Sequence, residues 1–177
     1  GTAVKTPGTK IFPYIQQNVD KIMTVSDKEL IVCFLDMIEN HKMVVENSGL
    51  LTVAALKRLK CQNKKVVAIM SGGNMDVITM ASVVQQGLIF RERIFTFSVL
   101  LPDKPGELVH VASILAENQG NVIRLDHNQF VSINRNSAVE LTITLEAFGP
   151  EHKQKILDAL RAAGYEPNVV ASKAMYQ

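Results

Sequence analysis

Residues 138–148 read Ala138-Val-Glu-Leu-Thr-Ile-Thr-Leu-Glu-Ala-Phe148, and this alternation is the clearest structural signal in the chain. Val139, Leu141, Ile143 and Leu145 fall on one face, and Glu140, Thr142, Thr144 and Glu146 on the other. Side chains along a strand point alternately to opposite faces, so the pattern predicts a strand with one face on a core and the other in water. On its C-terminal side, Gly149-Pro150-Glu151 opens a helix with proline in its first turn. Ile156, Leu160 and Ala163 share the inner face of that helix, Gly164 ends it, and Glu166 to Ala171 reads as a last strand. On the N-terminal side the same logic runs backwards. Arg93 to Leu101 alternates, with Phe95, Phe97, Val99 and Leu101 on one face and Thr96 and Ser98 on the other. A tight loop, Pro102-Asp-Lys-Pro-Gly106, leads into an amphipathic helix, Glu107 to Gln119, striped by Leu108, Val111, Ala112 and Leu115 and ended by Gly120. Asn121 to Val131 is extended, and Ser132 to Ser137 is a polar turn. Residues 93–172 therefore spell β-α-β-β-α-β. This is the split-βαβ, ferredoxin-like layout: a four-stranded antiparallel sheet with two helices on one face.

Residues 1–86 have a different grammar. Lys10 to Val19 predicts a short helix, with Thr9 as cap and Pro13 in its first turn. Asp20 to Val25 predicts a short strand. Ser26-Asp27-Lys28-Glu29 is a capping box, and the helix behind it places Ile31, Phe34, Leu35 and Ile38 on one stripe. A second helix is expected from about Ser48 to Leu59. Lys65-Val-Val-Ala-Ile-Met70 is apolar on both faces and predicts a buried, parallel strand. A helical or irregular stretch from Met75 to about Gln86 precedes a linker over 87–92. The first part thus looks like the edge of a larger α/β domain, joined to a complete domain at 93–177.

The chain has 177 residues, room for one domain or two small ones. Its 19 Lys and Arg against 17 Asp and Glu leave a net charge of +2, too small to imply a polyanionic partner. The third strand of the C-terminal part, 139–146, carries acidic and aliphatic residues where an RNA-recognition module would carry stacking aromatics, so nucleic acid is not expected. Two cysteines, Cys33 and Cys61, make no disulfide framework or metal spacing and exclude cluster-based electron transfer. The four histidines are scattered, are read as surface or boundary residues, and predict neither a metal site nor an activated nucleophile. No apolar run is long enough to cross a membrane. The chain opens at Gly1 without Met or a signal-peptide pattern, which suggests a piece of something longer, in a cytoplasmic setting.

Three motifs bear on chemistry. Ser71-Gly72-Gly73-Asn74 follows the Lys65–Met70 run, where α/β proteins place ligands, and two glycines permit close backbone approach to a flat ring or a phosphate. A plain strand-to-loop turn is the simpler reading of the same four residues. Glu46-Asn47-Ser48-Gly49 reads as a helix cap or as a polar contact to a bound ligand. Pro105-Gly106 turns the chain directly into a helix whose first N–H groups are unpaired and can receive a small carboxylate, or simply starts the helix.

Residues 93–172, through Leu100-Leu-Pro-Asp-Lys-Pro-Gly-Glu-Leu108 and Gly120-Asn-Val-Ile123, resemble an ACT domain, a regulatory module that binds amino acids. The longer string, with Ser71-Gly-Gly-Asn74, Arg93-Ile-Phe-Thr-Phe-Ser-Val99 and Asp126-His-Asn-Gln-Phe-Val-Ser-Ile-Asn-Arg135, is similar to the C-terminal part of pyridoxal-phosphate-dependent threonine dehydratases. That resemblance implies a fold-type II catalytic domain, of which residues 1–86 would be the C-terminal portion. It implies an intact lyase that turns L-threonine into 2-oxobutanoate and ammonia, important for isoleucine biosynthesis. Ser71 would meet the pyridine nitrogen of pyridoxal phosphate, with Gly72, Gly73, Asn74 and Glu46 shaping the same wall, although the family's Glu-Gly-Ala-Gly reads Glu-Asn-Ser-Gly here. No lysine of this chain lies in a Ser-x-Lys-x-Arg/Asn setting and there is no tri- or tetraglycine loop. The chain alone is therefore expected to lack catalytic residues, to hold no cofactor and to be inactive. The effector, isoleucine or valine, would contact Asp103, Pro105, Gly106, Glu107 and Leu108 of one copy and Asn121, Val122 and Ile123 of another. This implies a homodimer through the ACT domain and an intact tetramer. A stand-alone amino-acid sensor with no catalytic parent is the competing reading.

Overall fold

The computed structural model describes residue 2 and residues 4–128 and 138–171. The chain divides into unit 1, Gly1–Val84, and unit 2, Gln85–Gln177.

Unit 1 is helical. It contains α1 (Phe12–Asn18), α2 (Asp27–Asp36), α3 (Leu51–Leu56) and the start of α4 (Val77–Phe90). The capping box is formed: the Ser26 N–H donates to Glu29 Oε2 at 2.8 Å and the Glu29 N–H donates to Ser26 Oγ at 3.4 Å. α2 runs on into one π-helical turn, Met37–His41, closed by Lys42 at φ +57°. Phe34 and Leu50 are fully buried, with Leu30, Cys33, Met37 and Ala54 around them. The bonds from Ser26, followed by the Arg58 charge, hold the Glu29 carboxyl below the usual carboxylate range. A lowered pKa gives stability that is present above about pH 4.3 and is lost as pH falls through the folded value. Thermal melts followed by circular dichroism should show unit 1 weakening below about pH 4. Glu29→Gln should flatten that dependence, and an unchanged acid limb would count against the box.

Several sequence expectations for unit 1 are corrected. Neither Asp20–Val25 nor Lys65–Met70 is a strand, and the second is not buried, with Val67 89% and Ile69 74% exposed. A β-branched run gives only the propensity; the ladder needs a neighbour, and among the described residues every paired strand lies in unit 2. The helix expected over 48–59 is shorter, because 47–50 form a turn. Thr9 does not cap α1, whose N-cap is Ile11, although Pro13 does sit in its first turn. The stretch expected to be partly irregular is α4, started by Asp76, whose Oδ1 accepts from the Thr79 N–H at 2.8 Å. Residues 87–90 of the expected linker are the last turn of that helix.

Unit 2 follows the expected order: β1 (Ile94–Leu101), α5 (Glu107–Glu117), β2 (Asn121–Asn128), β3 (Val139–Glu146), α6 (Pro150–Ala162) and β4 (Asn168–Val170). The sheet order is β2-β3-β1-β4, with all three pairings antiparallel. Phe97, Leu141, Ile143 and Leu145 are fully buried, as are Val111 of α5 and Ile156 and Leu160 of α6, so both helices cover one face of the sheet. On the opposite face Thr96 and Thr144 share a hydrogen bond of 2.9 Å. β2 is an edge strand with a bulge between Val122 and Arg124. The left-handed residue that ends α5 is Gln119 at φ +60°, rather than Gly120, which sits in the next position close to Ile156. The extended end of β2 beyond Asn128 and the turn at 132–137 lie outside the described residues.

Candidate functional site

The β1–α5 loop encloses a cleft of about 300 Å³, with Leu101 at one end of the loop, Leu108 at the other and His127 across it. β1 and β2 both run antiparallel to β3, so they are parallel to each other and their C-terminal ends lie together. That brings His127, near the end of β2, to the loop that follows β1. Asp103, Pro105, Gly106, Glu107 and Leu108, the five loop residues singled out in the sequence, all line this cleft together with Lys104. The cleft thus holds Asp103 and Glu107 beside Lys104. Gly106 is the N-cap of α5 at φ +98° with no side-chain cap, so the first turn of the helix keeps open donors.

Asn121, Val122 and Ile123 are not part of this cleft. They begin β2, whereas the loop lies at its far end, about 20 Å away at the rise of a strand. Asn121 Nδ2 donates to Glu146 Oε2 at 3.2 Å, and Val122 and Ile123 are partly exposed on the sheet edge. His127 was not singled out in the sequence. Its signal was topological, in the shared direction of two strands that are not sequence neighbours. The other two histidines of unit 2 serve within it: His110 Nδ1 is 2.8 Å from the Tyr165 hydroxyl, and His152 stacks on Phe148.

In unit 1 the structure brings Glu46 to Ser71–Asn74. The Glu46 N–H donates to the Gly72 carbonyl at 3.1 Å, and the Glu46 carboxylate accepts from Ser48 Oγ at 2.5 Å. A methyl added at Gly72, where φ is +78°, would lie 2.3 Å from the Glu46 carboxyl carbon. One added at Gly49 would lie 1.8 Å from the Ser71 carbonyl oxygen. Thr52 Oγ1 donates to the Ile69 carbonyl at 2.7 Å, so residues 69–73 are stitched along 44–52 without being a strand. Ser71, Gly72, Gly73 and Asn74 are exposed. Ser48 does not cap α3, and its hydroxyl is spent on Glu46. Among the described residues, no three His, Cys, Asp or Glu side chains come together as a metal set, and no helix is long and apolar enough to cross a membrane.

Comparison with known proteins gives the lineage. An L-threonine ammonia-lyase of Geobacter sulfurreducens is 34% identical over 172 residues, covering 96% of this chain and 43% of the relative. One from Thermotoga maritima is 32% identical over 171 residues, again 96% of this chain and 43% of the relative. The chain is a relative of the threonine ammonia-lyases. It spans less than half the length of these relatives, at 43% of each. The match runs through both units, including the cleft and the Glu46–Gly72 contact. A biosynthetic L-threonine dehydratase of Corynebacterium glutamicum is 34% identical over 113 residues, 62% of this chain and 26% of that protein. No protein-family model matches the chain. Among solved structures, the regulatory subunit of an aspartate kinase from Thermus thermophilus superposes with a TM-score of 0.35 at 20% identity, covering 44% of this chain and 50% of that one. That likeness is too slight to carry weight. The ferredoxin-like reading of this threonine ammonia-lyase relative rests on its own strand order and register.

Proposed function

We propose that the chain is the regulatory portion of a cytoplasmic threonine ammonia-lyase: unit 2 is an ACT-type module that binds an amino-acid effector, and unit 1 is part of the catalytic domain. The observation that carries the reading is the β1–α5 cleft. It sets both signs of charge beside apolar side chains in a volume of about 300 Å³, which suits a small zwitterion with an aliphatic side chain. Lys104 and the open N–H groups of α5 take the carboxylate, Glu107 and Asp103 take the ammonium, and Leu101 and Leu108 face the side chain. Isoleucine or valine fits this division. A second copy, paired through unit 2, supplies Asn121, Val122 and Ile123. Sequence identity running through both units favours an enzyme's regulatory part over a stand-alone sensor.

For the intact enzyme we propose conversion of L-threonine to 2-oxobutanoate and ammonia. Pyridoxal phosphate, when bound, supplies the electron sink for β-elimination. The residues present fit one edge of that group. Ser71 offers a neutral hydroxyl to the ring nitrogen, and Gly72 and Gly73 leave room for the ring's approach. Glu46, held by Ser48, braces the turn from behind. No Schiff-base lysine motif or glycine-rich phosphate cup accompanies them in this sequence, so the chain regulates rather than turns over substrate.

Isothermal titration of the 177-residue chain should show saturable heat with L-isoleucine or L-valine. Absence of heat with isoleucine, valine, threonine and serine would overturn the effector reading.

A further inference from the structure

Beside the cleft lies a hydrogen-bonded cluster that joins α5 to the far end of the unit. The Tyr165 hydroxyl donates to Glu107 Oε2 at 2.9 Å, and His110 Nδ1 lies 2.8 Å from the same hydroxyl. Tyr165 is only 8% exposed although it follows a helix end. Its direction is set by the way α6 stops. Gly164, at φ +88°, donates its N–H to the Arg161 carbonyl, and the Tyr165 N–H donates to the Leu160 carbonyl at 3.1 Å. This is a Schellman stop, which turns the residue after the glycine back toward the helix's buried face.

The proton positions follow from valence. An ionised carboxylate only accepts, so the single phenolic proton of Tyr165 goes to Glu107. The phenol oxygen then accepts, and His110 Nδ1 carries a proton and donates to it. One carboxylate oxygen of Glu107 is thereby tied from behind, while its residue lines the cleft.

We propose that Tyr165 is a positioning residue of the effector cleft: it fixes the Glu107 carboxylate so that Oε1 stays available to the ammonium group of the bound amino acid. The inference rests on the effector reading above. Burial and the Glu107 carboxylate hold the Tyr165 phenol above the usual tyrosine range, in keeping with a phenol that remains a donor. The same carboxylate unbraced would have to be ordered by the ligand itself, at a cost in affinity.

The test uses the whole chain, L-isoleucine and L-valine, and the 2-hydroxy acids of the same carbon skeletons, which lack the ammonium. Tyr165→Phe keeps the ring and removes the brace. It should weaken the amino acid about five- to tenfold, the net worth of one hydrogen bond, and leave the hydroxy acid unchanged. If that variant does not fold, Glu107→Gln should show the same selectivity between the two ligands. Equal losses for amino acid and hydroxy acid, or no loss for either, overturn the positioning role alone. A wild-type chain that binds neither amino acid overturns the effector reading and this inference together.

Discussion

Phe97→Ala should cost unit 2 about 3–5 kcal/mol, the range for deleting a buried aromatic ring. Phe97 is 0% exposed and sits on β1, an interior strand of the sheet, paired with Ile143 on one side and Val169 on the other. Its ring lies 6.1 Å from that of Phe95 and within the layer closed by α5 and α6. Interior strands held on both edges cannot slide to fill the void, so the cavity term adds in full to the lost transfer energy. Domains of this size hold about 5–15 kcal/mol in all, so a large share of the unit's stability goes with one side chain. Urea titration followed through unit 2 should show the loss, with the unit 1 transition in place. A loss below about 1 kcal/mol would mean that the sheet–helix core is far looser than its burial implies.

Gly49→Ala should be the most damaging small change in unit 1, at about 3 kcal/mol. The added methyl would stand 1.8 Å from the Ser71 carbonyl oxygen and 2.8 Å from its carbon, so it meets main chain that has no rotamer to move to. Gly72 makes the useful contrast. Its added methyl would meet the Glu46 side chain at 2.3 Å, and a side chain can swing away where a carbonyl cannot. Gly72→Ala still pays for a left-handed φ of +78°, yet should leave the 44–52 and 69–73 segments together. Gly49→Ala should part them and break the Thr52–Ile69 and Glu46–Gly72 hydrogen bonds. Hydrogen exchange at the Glu46 amide, which donates to the Gly72 carbonyl, would report this directly, and unchanged protection there in Gly49→Ala would refute the close approach.

The two units were not equally legible, and the reason is where each finds its partners. In unit 2, β1, α5, β3 and α6 bury their apolar faces against one another, so alternation at 139–146 translates directly into β3, and α5 forms where expected, although Leu108 and Ala112 of its expected stripe are exposed and Ile114 is buried with Val111 and Leu115 instead. Val66, Val67 and Ile69 carry the same β-branched signal with nothing of their own unit to pair with, and the pattern gives no strand. α4 was hard to read for the opposite reason. Val77 and Ile78 are apolar yet exposed, so its beginning shows no single face, and a lone Asp76 ahead of them is a weak sign of its cap. In the cleft, the loop residues were readable because proline and glycine mark them locally. His127 and Tyr165 were not, since each reaches the loop only through the register of the sheet or the stop of α6.

Tyr165 follows Glu107 by 58 residues, and this separation sets an order of events during synthesis. At about 5–20 residues per second, the loop leaves the ribosome roughly 3 to 12 s before the tyrosine that braces it. β1 and α5 can begin to pack in that interval, but the β1–α5 cleft cannot acquire its finished shape. On the proposed effector reading, binding competence arrives after α6 has formed and turned its chain end inward. A nascent chain halted before that point carries the loop without the brace, and under that proposal should bind amino acid poorly until its fold is closed.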